Sequence, residues 1–327
     1  MTKQNVIIDC DPGIDDILAL MYAIKHSNIN VVAITLVAGN CPVHLGFKNV
    51  TYLLEILGRT DIPVYLGSEK PLKKEFVSAQ DTHGEDGLGN NHFKTSNTFK
   101  PKSQEASNFL AEYFSIKKET SIIALGPLTN IAKSLKSNPD IGKNCHRFVS
   151  MGGTYKAHGN CSPVSEYNYW CDPDAAKIVY QKLNRTIEMV GLDVTRKIVF
   201  SPNHLEYIKQ VKPDQFDFIS KITRFYFDFH WQYEHLLGCV INDPLAVAHF
   251  INENLCQGIL NYTDISTTDI TQGQTIVDNY NFYKKPTNAL ILTEVNTLHF
   301  WNDFLTTILE LPSEMILNDL ITLRLGE

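Results

Sequence analysis

Short apolar runs of strand length alternate with helical patterns along most of the first 190 residues. Six runs have the length and apolar composition of buried strands: residues 6–8, 31–37, 64–66, 122–125, 148–151 and 187–190. Apolar side chains at three- and four-residue spacing separate most of these runs, as between Ile14 and Ile24. Such alternation builds βαβ units, so the sequence predicts an α/β fold with an open, mostly parallel β-sheet flanked by helices. No linker-like composition interrupts the chain, which predicts one domain over residues 1–327.

Four carboxylates crowd the turn after the first predicted strand. Asp9, Asp11, Asp15 and Asp16 lie within eight residues, and the last two fall in the first turn of the next predicted helix. Helix capping accounts for one or two of them, but four like charges repel one another unless a hard divalent cation binds between them. Ligand sites in open α/β folds lie at the C-terminal ends of the strands, so we expect the active site there. Gly13 is expected to take a backbone conformation that other residues avoid.

Two segments break the alternation of strands and helices. Residues 78–100 are polar and rich in Gly and Asn, and so long a stretch without periodicity is typical of a functional loop. Residues 216–240 carry apolar and aromatic side chains at helical spacing, which predicts one long helix packed against the core.

Composition narrows the class of partner. The chain has 29 Lys+Arg against 36 Asp+Glu, a net charge of −7 without a basic block, which argues against nucleic acid and anionic membrane surfaces as partners. Its seven cysteines include no CxxC pair, which argues against a disulfide framework or a zinc knuckle. We find no signal-peptide core and no apolar stretch of about 18 residues, so we expect a cytoplasmic protein.

The acidic turn at residues 9–16 resembles the signature of the inosine-uridine-type nucleoside hydrolases, which are ribonucleoside N-glycosidases. Further blocks match this family in the same order, at residues 38–40, 126–130, 151–153, 166–168 and 242–244. Each block alone is weak evidence, but the ordered set across residues 5–300 is specific. The resemblance implies Ca²⁺-dependent hydrolysis of ribonucleosides to ribose and free base. It also implies a homodimer or homotetramer.

The resemblance also implies a role for individual residues. One Ca²⁺ would be held by Asp11, Asp16, Asp243 and the backbone carbonyl of Leu125. Asp11 would also act as the general base for the attacking water, with an oxocarbenium-like transition state. Six residues would contact the ribose: Asp15, Asn40 and Asn168 near the 3′-hydroxyl, Asp243 at the 2′-hydroxyl, and Asn160 and Glu166 at the 5′-hydroxyl.

One position departs from the best-known members of the family. They have a histidine, the acid that protonates the departing base, just before the last metal-binding aspartate. Here that position is Asn242, whose amide cannot deliver a proton. Candidate replacements are His83 in the polar loop and His230, His235, Tyr226 and Tyr233 on the aromatic helix. Alternatively no side chain supplies the proton, as in a purine-specific branch that stacks the base between aromatic rings, with Phe227 and Trp231 as candidates for stacking.

Two other functions remain open from the sequence. Asp9 and Asp11 form an Asp-x-Asp after the first strand, as in phosphohydrolases with an aspartate nucleophile, although these usually continue with Gly-Thr rather than Pro12-Gly13. Because Asn242 replaces the acid, the chain could also bind nucleosides without turnover. The purine-specific branch of the family also lacks this histidine, so the resemblance favours a preference for purine nucleosides.

Overall fold

A computed structural model describes residues 3–96 and 98–326. Its strands are β1 (Gln4–Cys10), β2 (Ile29–Leu36), β3 (Val64–Leu66), β4 (Thr120–Ala124), β5 (Phe148–Met151), β6 (Ile187–Val190), β7 (Val199–Phe200), β8 (Cys239–Val240), β9 (Cys256–Ile265), β10 (Thr275–Asp278) and β11 (Ala289–Val295). Within the described residues, nine strands form one sheet in the order β10-β9-β11-β6-β5-β4-β1-β2-β3. The strands from β11 to β3 run parallel, and β9 and β10 add an antiparallel edge. The predicted open, mostly parallel α/β sheet is confirmed.

Helices cover both faces of this sheet. They are α1 (Ile14–Lys25), α2 (Val43–Ile56), α3 (Gln80–His83), α4 (Ala106–Tyr113), α5 (Thr129–Ser137), α6 (Ile141–Asn144), α7 (Tyr167–Cys171), α8 (Pro173–Lys182), α9 (Leu192–Thr195), α10 (Pro202–Val211), α11 (Pro213–Glu234), α12 (Asn242–Ile251), α13 (Thr297–Leu309) and α14 (Ser313–Leu323). Alternate residues of β1 enter different cores, because successive strand side chains point to opposite faces. Val6 and Ile8 join one core, and Ile7 joins the other.

Sequence periodicity located β1 to β6 well but missed the far edge of the sheet. The predicted runs at residues 148–151 and 187–190 coincide with β5 and β6. We did not predict β9, β10 or β11. The burial along β9 explains why, because six of its ten residues in a row, Gln257–Tyr262, are exposed or only half-buried and give no buried apolar run.

The aromatic helix in the structure ends earlier than the pattern of apolar residues predicts. α11 ends at Glu234, where His235 takes a left-handed conformation with φ 53°, and Val240 belongs to strand β8. The predicted extension to residue 240 is therefore wrong. The core-packed interpretation holds for one face only, since Trp231 is 53% exposed and Tyr233 is 62% exposed.

The polar loop at residues 78–100 is largely irregular, as predicted, apart from the four-residue α3. Residue 97 lies outside the described residues. Asp86 organises the loop by accepting backbone N–H bonds from Leu88, Asn90 and His92. The Asn49 amide donates to the carbonyls of both Asp86 and Pro12, which ties the loop to the acidic turn. In the described part of the chain, no helix is both long and apolar enough for a membrane span.

Candidate active site

The acidic turn joins the C-terminal end of β1 to the first turn of α1. Asp15 and Asp16 lie in that first turn, as predicted. Asp16 fixes the turn, because its carboxylate accepts the backbone N–H bonds of Asp11 (3.2 Å) and Gly13 (3.0 Å). The Asn40 amide adds a third bond to Asp16 at 2.8 Å. Burial, followed by repulsion from Asp15, raises the pKa of Asp16 to about 7.

Asp11 is fully buried, and only one of its two carboxylate oxygens has a hydrogen-bond partner among the described residues. Its Oδ2 accepts the backbone N–H of Asn40 at 2.6 Å, while its Oδ1 has no hydrogen-bond partner among the described residues. Burial raises the pKa of Asp11 well above its usual range, and the nearby Asp16 adds to the shift. A buried carboxylate oxygen without a donor is costly, so the structure leaves a place for a cationic partner.

Three carboxylates from two elements meet beside Asp11. Oxygens of Asp15, Asp16 and Asp243 all lie within 4.8 Å of one another, with Asp243 at the start of α12. Burial and repulsion from Asp16, Asp15 and Asp11 raise the pKa of Asp243 well above its usual range. Buried oxygen donors that repel one another fit a hard divalent cation. This group differs from the predicted set of carboxylate ligands, because it contains Asp15 rather than Asp11 beside Asp16 and Asp243.

The fourth carboxylate of the turn has its own partners. Asp9 Oδ1 accepts hydrogen bonds from Thr35 at 2.6 Å and Asn130 at 2.8 Å, while its Oδ2, like Asp11 Oδ1, has no hydrogen-bond partner among the described residues. Asn130 also donates to the carbonyl of Leu36, so Asp9 helps to join β1, β2 and α5. Burial raises the pKa of Asp9 to about 7. Its contacts are those of a supporting residue.

The residues expected to contact ribose lie at the same edge of the sheet. The cleft there has a volume of about 610 Å³ and is lined by, among others, Asp15, Asn40, Leu125, Asn160, Glu166, Asn168, Asn242 and Asp243. Asn168 Nδ2 donates to the Leu125 carbonyl at 2.7 Å, which places the two predicted contacts side by side. The Glu166 carboxylate accepts the backbone N–H bonds of Gly153, Asn168 and Tyr169. Burial raises the pKa of Glu166 to about 7.

Several residues of the cleft were not predicted from the sequence. Phe229, Glu234, Arg196, Tyr167 and Trp170 line it. Arg196 and Glu234 form an ion pair at 3.7 Å. The Tyr167 hydroxyl lies 2.8 Å from the carbonyl oxygens of both Gly39 and Val77 and can donate its one proton to either. Helical spacing contained part of the signal, since the cleft-lining residues 226, 229, 230, 233 and 234 of α11 recur every three or four positions.

The candidates for the leaving-group acid fall into two groups. His83, Tyr226, His230 and Tyr233 line the cleft. The remaining candidates are absent from the described lining: His235 lies beyond the end of α11, Trp231 is exposed, and Phe227 packs beside Phe200. The proposed stacking of a base between Phe227 and Trp231 therefore has no support in the geometry.

Two histidines of the cleft, His83 and His230, are neutral in this arrangement. His83 Nδ1 accepts the Ile14 backbone N–H at 3.1 Å, and an imidazolium could not accept it. Burial, with repulsion from His230, lowers the pKa of His83 to about 3. His230 receives the Val240 N–H on Nε2 and lies 2.9 Å from the Tyr226 carbonyl through Nδ1. Neither ring is a strong acid at neutral pH, which works against the predicted role of His83.

Asn242, at the position of the family's acid, has a structural partner instead. Its backbone N–H and its side-chain Nδ2 both donate to Asp15 Oδ2, at 3.3 and 3.2 Å. These bonds oppose the pKa increase that burial causes at Asp15. The substitution thus orients a carboxylate of the acidic group.

Gly13 and Gly39 provide space in the site rather than unusual backbone conformations. Gly13 has φ −94°, an ordinary value, so the expected special conformation is wrong. A Cβ there would lie 2.6 Å from His83 Nδ1. A Cβ on Gly39 would lie 2.0 Å from Asp11 Oδ2.

Gly39→Ala is therefore expected to displace Asp11, the predicted general base, and to lower kcat by about 10²-fold, as misplacement of a reacting group does. Overpacking should also cost about 1–3 kcal/mol of stability. Steady-state kinetics and thermal unfolding measure the two effects. Gly58→Ala is the control, since Gly58 has φ 64° and a Cβ on it would meet nothing within 4 Å, so the variant should lose stability but keep its activity. Equal kcat values for the two variants would contradict this account of Gly39.

The buried acidic group lies at the C-terminal edge of an open, mostly parallel sheet, which is where α/β proteins bind their ligands. The family model described as inosine-uridine preferring nucleoside hydrolase matches residues 6–302. The chain therefore belongs to the inosine-uridine preferring nucleoside hydrolase family.

Proteins with a known name align with most of this chain. The pyrimidine-specific ribonucleoside hydrolase RihA of Shewanella sp. (strain MR-7) is 34% identical over 304 residues, which cover 91% of this chain and 94% of RihA. The probable uridine nucleosidase 2 of Arabidopsis thaliana is 32% identical over 85% of this chain and 86% of its own length. The structure of a purine-preferring ribonucleoside hydrolase from Gardnerella vaginalis superposes with a TM-score of 0.87 and 28% identity, covering 96% of this chain and 99% of that one.

Proposed function

We propose that this enzyme hydrolyses the N-glycosidic bond of ribonucleosides, with Ca²⁺ bound at the acidic group. The observation that carries the proposal is the buried, unpaired Oδ1 of Asp11 beside Asp15, Asp16 and Asp243. Membership of the nucleoside hydrolase family favours this chemistry over an aspartate-dependent phosphohydrolase.

The proposed Ca²⁺ ligands are Asp11, Asp16, Asp243 and the Leu125 carbonyl. Asp15, whose oxygens lie within the closest group, is close enough to add a ligand or to bind a ribose hydroxyl. The Leu125 oxygen accepts one bond from Asn168 and keeps a second lone pair for a cation. When bound, Ca²⁺ would make the attacking water more acidic and would hold ribose hydroxyls.

The chain's own residues supply the other parts of the reaction. Asp11 is proposed to accept the proton of the water that attacks the anomeric carbon, because its Oδ1 is free while Oδ2 is fixed by Asn40. Asp15, Asn40, Asn168 and Asp243 are proposed to bind the 2′- and 3′-hydroxyls, and Asn160 and Glu166 the 5′-hydroxyl. The surrounding carboxylates would stabilise the positive charge that develops on the sugar.

The base preference is a separate part of the proposal. Among the relatives, RihA is named pyrimidine-specific and the Gardnerella vaginalis enzyme purine-preferring. We infer that purine nucleosides are accepted, because the cleft of about 610 Å³ is lined by Tyr226, Phe229 and Tyr167 and has room for a bicyclic ring. Comparing kcat/KM for inosine and uridine tests the predicted preference for purines.

Discrimination against 2′-deoxynucleosides tests the proposed ribose site. We expect kcat/KM for 2′-deoxyinosine to be about 10⁴-fold below that for inosine, since a site built to bind a hydroxyl is left with unpaired polar groups when that hydroxyl is missing. Release of reducing sugar from the matched pair measures this ratio. Similar values for the two substrates would contradict the ribose contacts. Tight inosine binding without any turnover would favour a nucleoside-binding protein.

A further inference from the structure

The loop between β5 and α7, residues 152–166, carries the two residues that we propose for the 5′-hydroxyl. Glu166, at the end of the loop, is 2% exposed, and its carboxylate is fixed by three backbone N–H bonds. Asn160 is exposed and lies in the irregular middle of the loop. Its Oδ1 accepts the Tyr167 backbone N–H at 3.0 Å, so Nδ2 is the part of the amide that can donate to a ribose oxygen. An exposed side chain on an irregular loop keeps one position only if the backbone beneath it is held.

Asp193, in the short helix α9 after β6, holds the first part of this loop. Its Oδ2 accepts the Tyr155 backbone N–H at 2.6 Å, and its Oδ1 accepts those of Lys156 and Ala157 at 2.7 and 2.9 Å. Successive backbone N–H groups that converge on one point can bind an anion, and here the protein's own carboxylate occupies that point. Hydrogen bonds to an ionised acceptor are about twice as strong as neutral ones, so these bonds attach the loop firmly to α9.

Two further hydrogen bonds extend this attachment towards Asn160. The Thr154 hydroxyl donates to the Ala157 carbonyl at 2.7 Å and closes the same turn of the loop. Arg196, at the end of α9, donates to the Gly159 carbonyl at 3.2 Å. The loop is therefore bonded to α9 as far as the residue that precedes Asn160.

We propose that Asp193 is a positioning residue that holds Asn160 in place to bind the 5′-hydroxyl of the substrate. This inference rests on the proposed ribonucleoside hydrolysis. Asp193 is absent from the described lining of the cleft, so it acts through the loop and not on the substrate. The contact joins residues that are 36 to 38 positions apart and follow the neighbouring strands β5 and β6, which is why no local sequence pattern points to it.

Asp193→Asn keeps the size of the side chain but replaces one acceptor oxygen with an NH₂ group, which cannot accept the N–H bonds of the loop. The test compares inosine with 5′-deoxyinosine, which lacks the hydroxyl that Asn160 is proposed to bind. We expect kcat/KM for inosine to fall by about 10–10²-fold, as misplacement of a contact does, and kcat/KM for 5′-deoxyinosine to change by less than about threefold. The ratio of the two values should therefore fall, whereas a purely structural role would slow both substrates alike.

Asp278→Asn is the matched control. Asp278 also holds a loop through its carboxylate, which accepts the backbone N–H groups of Phe282 and Tyr283 at 2.8 and 2.7 Å. All three residues lie outside the described lining of the cleft. The control should lose stability, as Asp193→Asn does, but it should keep the wild-type ratio of inosine to 5′-deoxyinosine.

Thr154→Val provides a second measurement if Asp193→Asn does not fold, because it removes the hydroxyl that closes the same turn. It should lower the ratio in the same direction. A folded Asp193→Asn enzyme with the wild-type ratio overturns the assignment of Asp193, and so does an unchanged ratio in Thr154→Val when Asp193→Asn does not fold.

The wild-type enzyme separates this inference from the proposed function. Equal cleavage of inosine and 5′-deoxyinosine by wild type would contradict the contact of Asn160 with the 5′-hydroxyl, and the role of Asp193 with it, while leaving ribonucleoside hydrolysis intact. Cleavage of no ribonucleoside by wild type would contradict the proposed function itself.

Discussion

Asp11→Asn is expected to be nearly inactive on every ribonucleoside while retaining the wild-type fold. A general base contributes about 10²–10⁴-fold, and the variant also removes one negative charge from the proposed metal site, so the total loss should reach several orders of magnitude. Asparagine keeps the size of the side chain and can still accept the Asn40 backbone N–H that now bonds Oδ2. Steady-state kinetics with inosine, together with circular dichroism, measure activity and fold.

Asp61→Asn is a suitable control for this variant. Asp61 is a mostly exposed surface residue paired with Arg59, and such pairs contribute about 0–1 kcal/mol, so the control should match wild type in rate. If Asp11→Asn keeps most of its kcat, another residue is the base.

Removal of divalent ions is expected to abolish activity and to lower the melting temperature. Asp11, Asp15, Asp16 and Asp243 are buried together, and without a cation their repulsion opposes folding. A cation at 100 times its Kd stabilises the folded chain by about 2.7 kcal/mol, which should appear as a fall in Tm after dialysis against EGTA. Ca²⁺ should restore both activity and Tm, and elemental analysis of gently purified protein should find about one Ca²⁺ per chain.

The alternative outcomes of this experiment are distinct. Full activity in protein free of divalent ions would exclude the proposed metal site. Restoration by Mg²⁺ in preference to Ca²⁺ would keep the site but change the ion, since Mg²⁺ requires a smaller octahedral shell.

Sequence patterns located most of the acidic group because three of its residues are close in sequence and follow the end of a strand. Asp11, Asp15 and Asp16 lie in one turn, and repulsion among them was visible without a structure. Asp243 joins them from more than 220 residues away, and only the resemblance to a known family connected it to the turn. The parallel strands explain the geometry, since β1 and β4 place the turn and Leu125 at the same sheet edge.

The details that periodicity could not predict depend on tertiary contacts. His83 is neutral because it is buried and its Nδ1 accepts the Ile14 backbone N–H. Asn242 donates to Asp15, which lies more than 220 residues earlier in the chain. Gly13 is required for space beside His83, which no local pattern records. The predicted end of α11 lies too far along the chain. The apolar spacing continues past His235, although His235 itself has a left-handed backbone conformation that ends the helix.

The release of ribose and free base tests the central claim most directly. Purified enzyme in phosphate-free buffer with Ca²⁺ is incubated with inosine, adenosine, guanosine, uridine and cytidine, and both products are quantified by chromatography. We predict equal amounts of ribose and base from at least one ribonucleoside with wild type, and neither product above background with Asp11→Asn. Absence of ribose from every nucleoside with wild type, or equal release by Asp11→Asn, would contradict ribonucleoside hydrolysis at this acidic site.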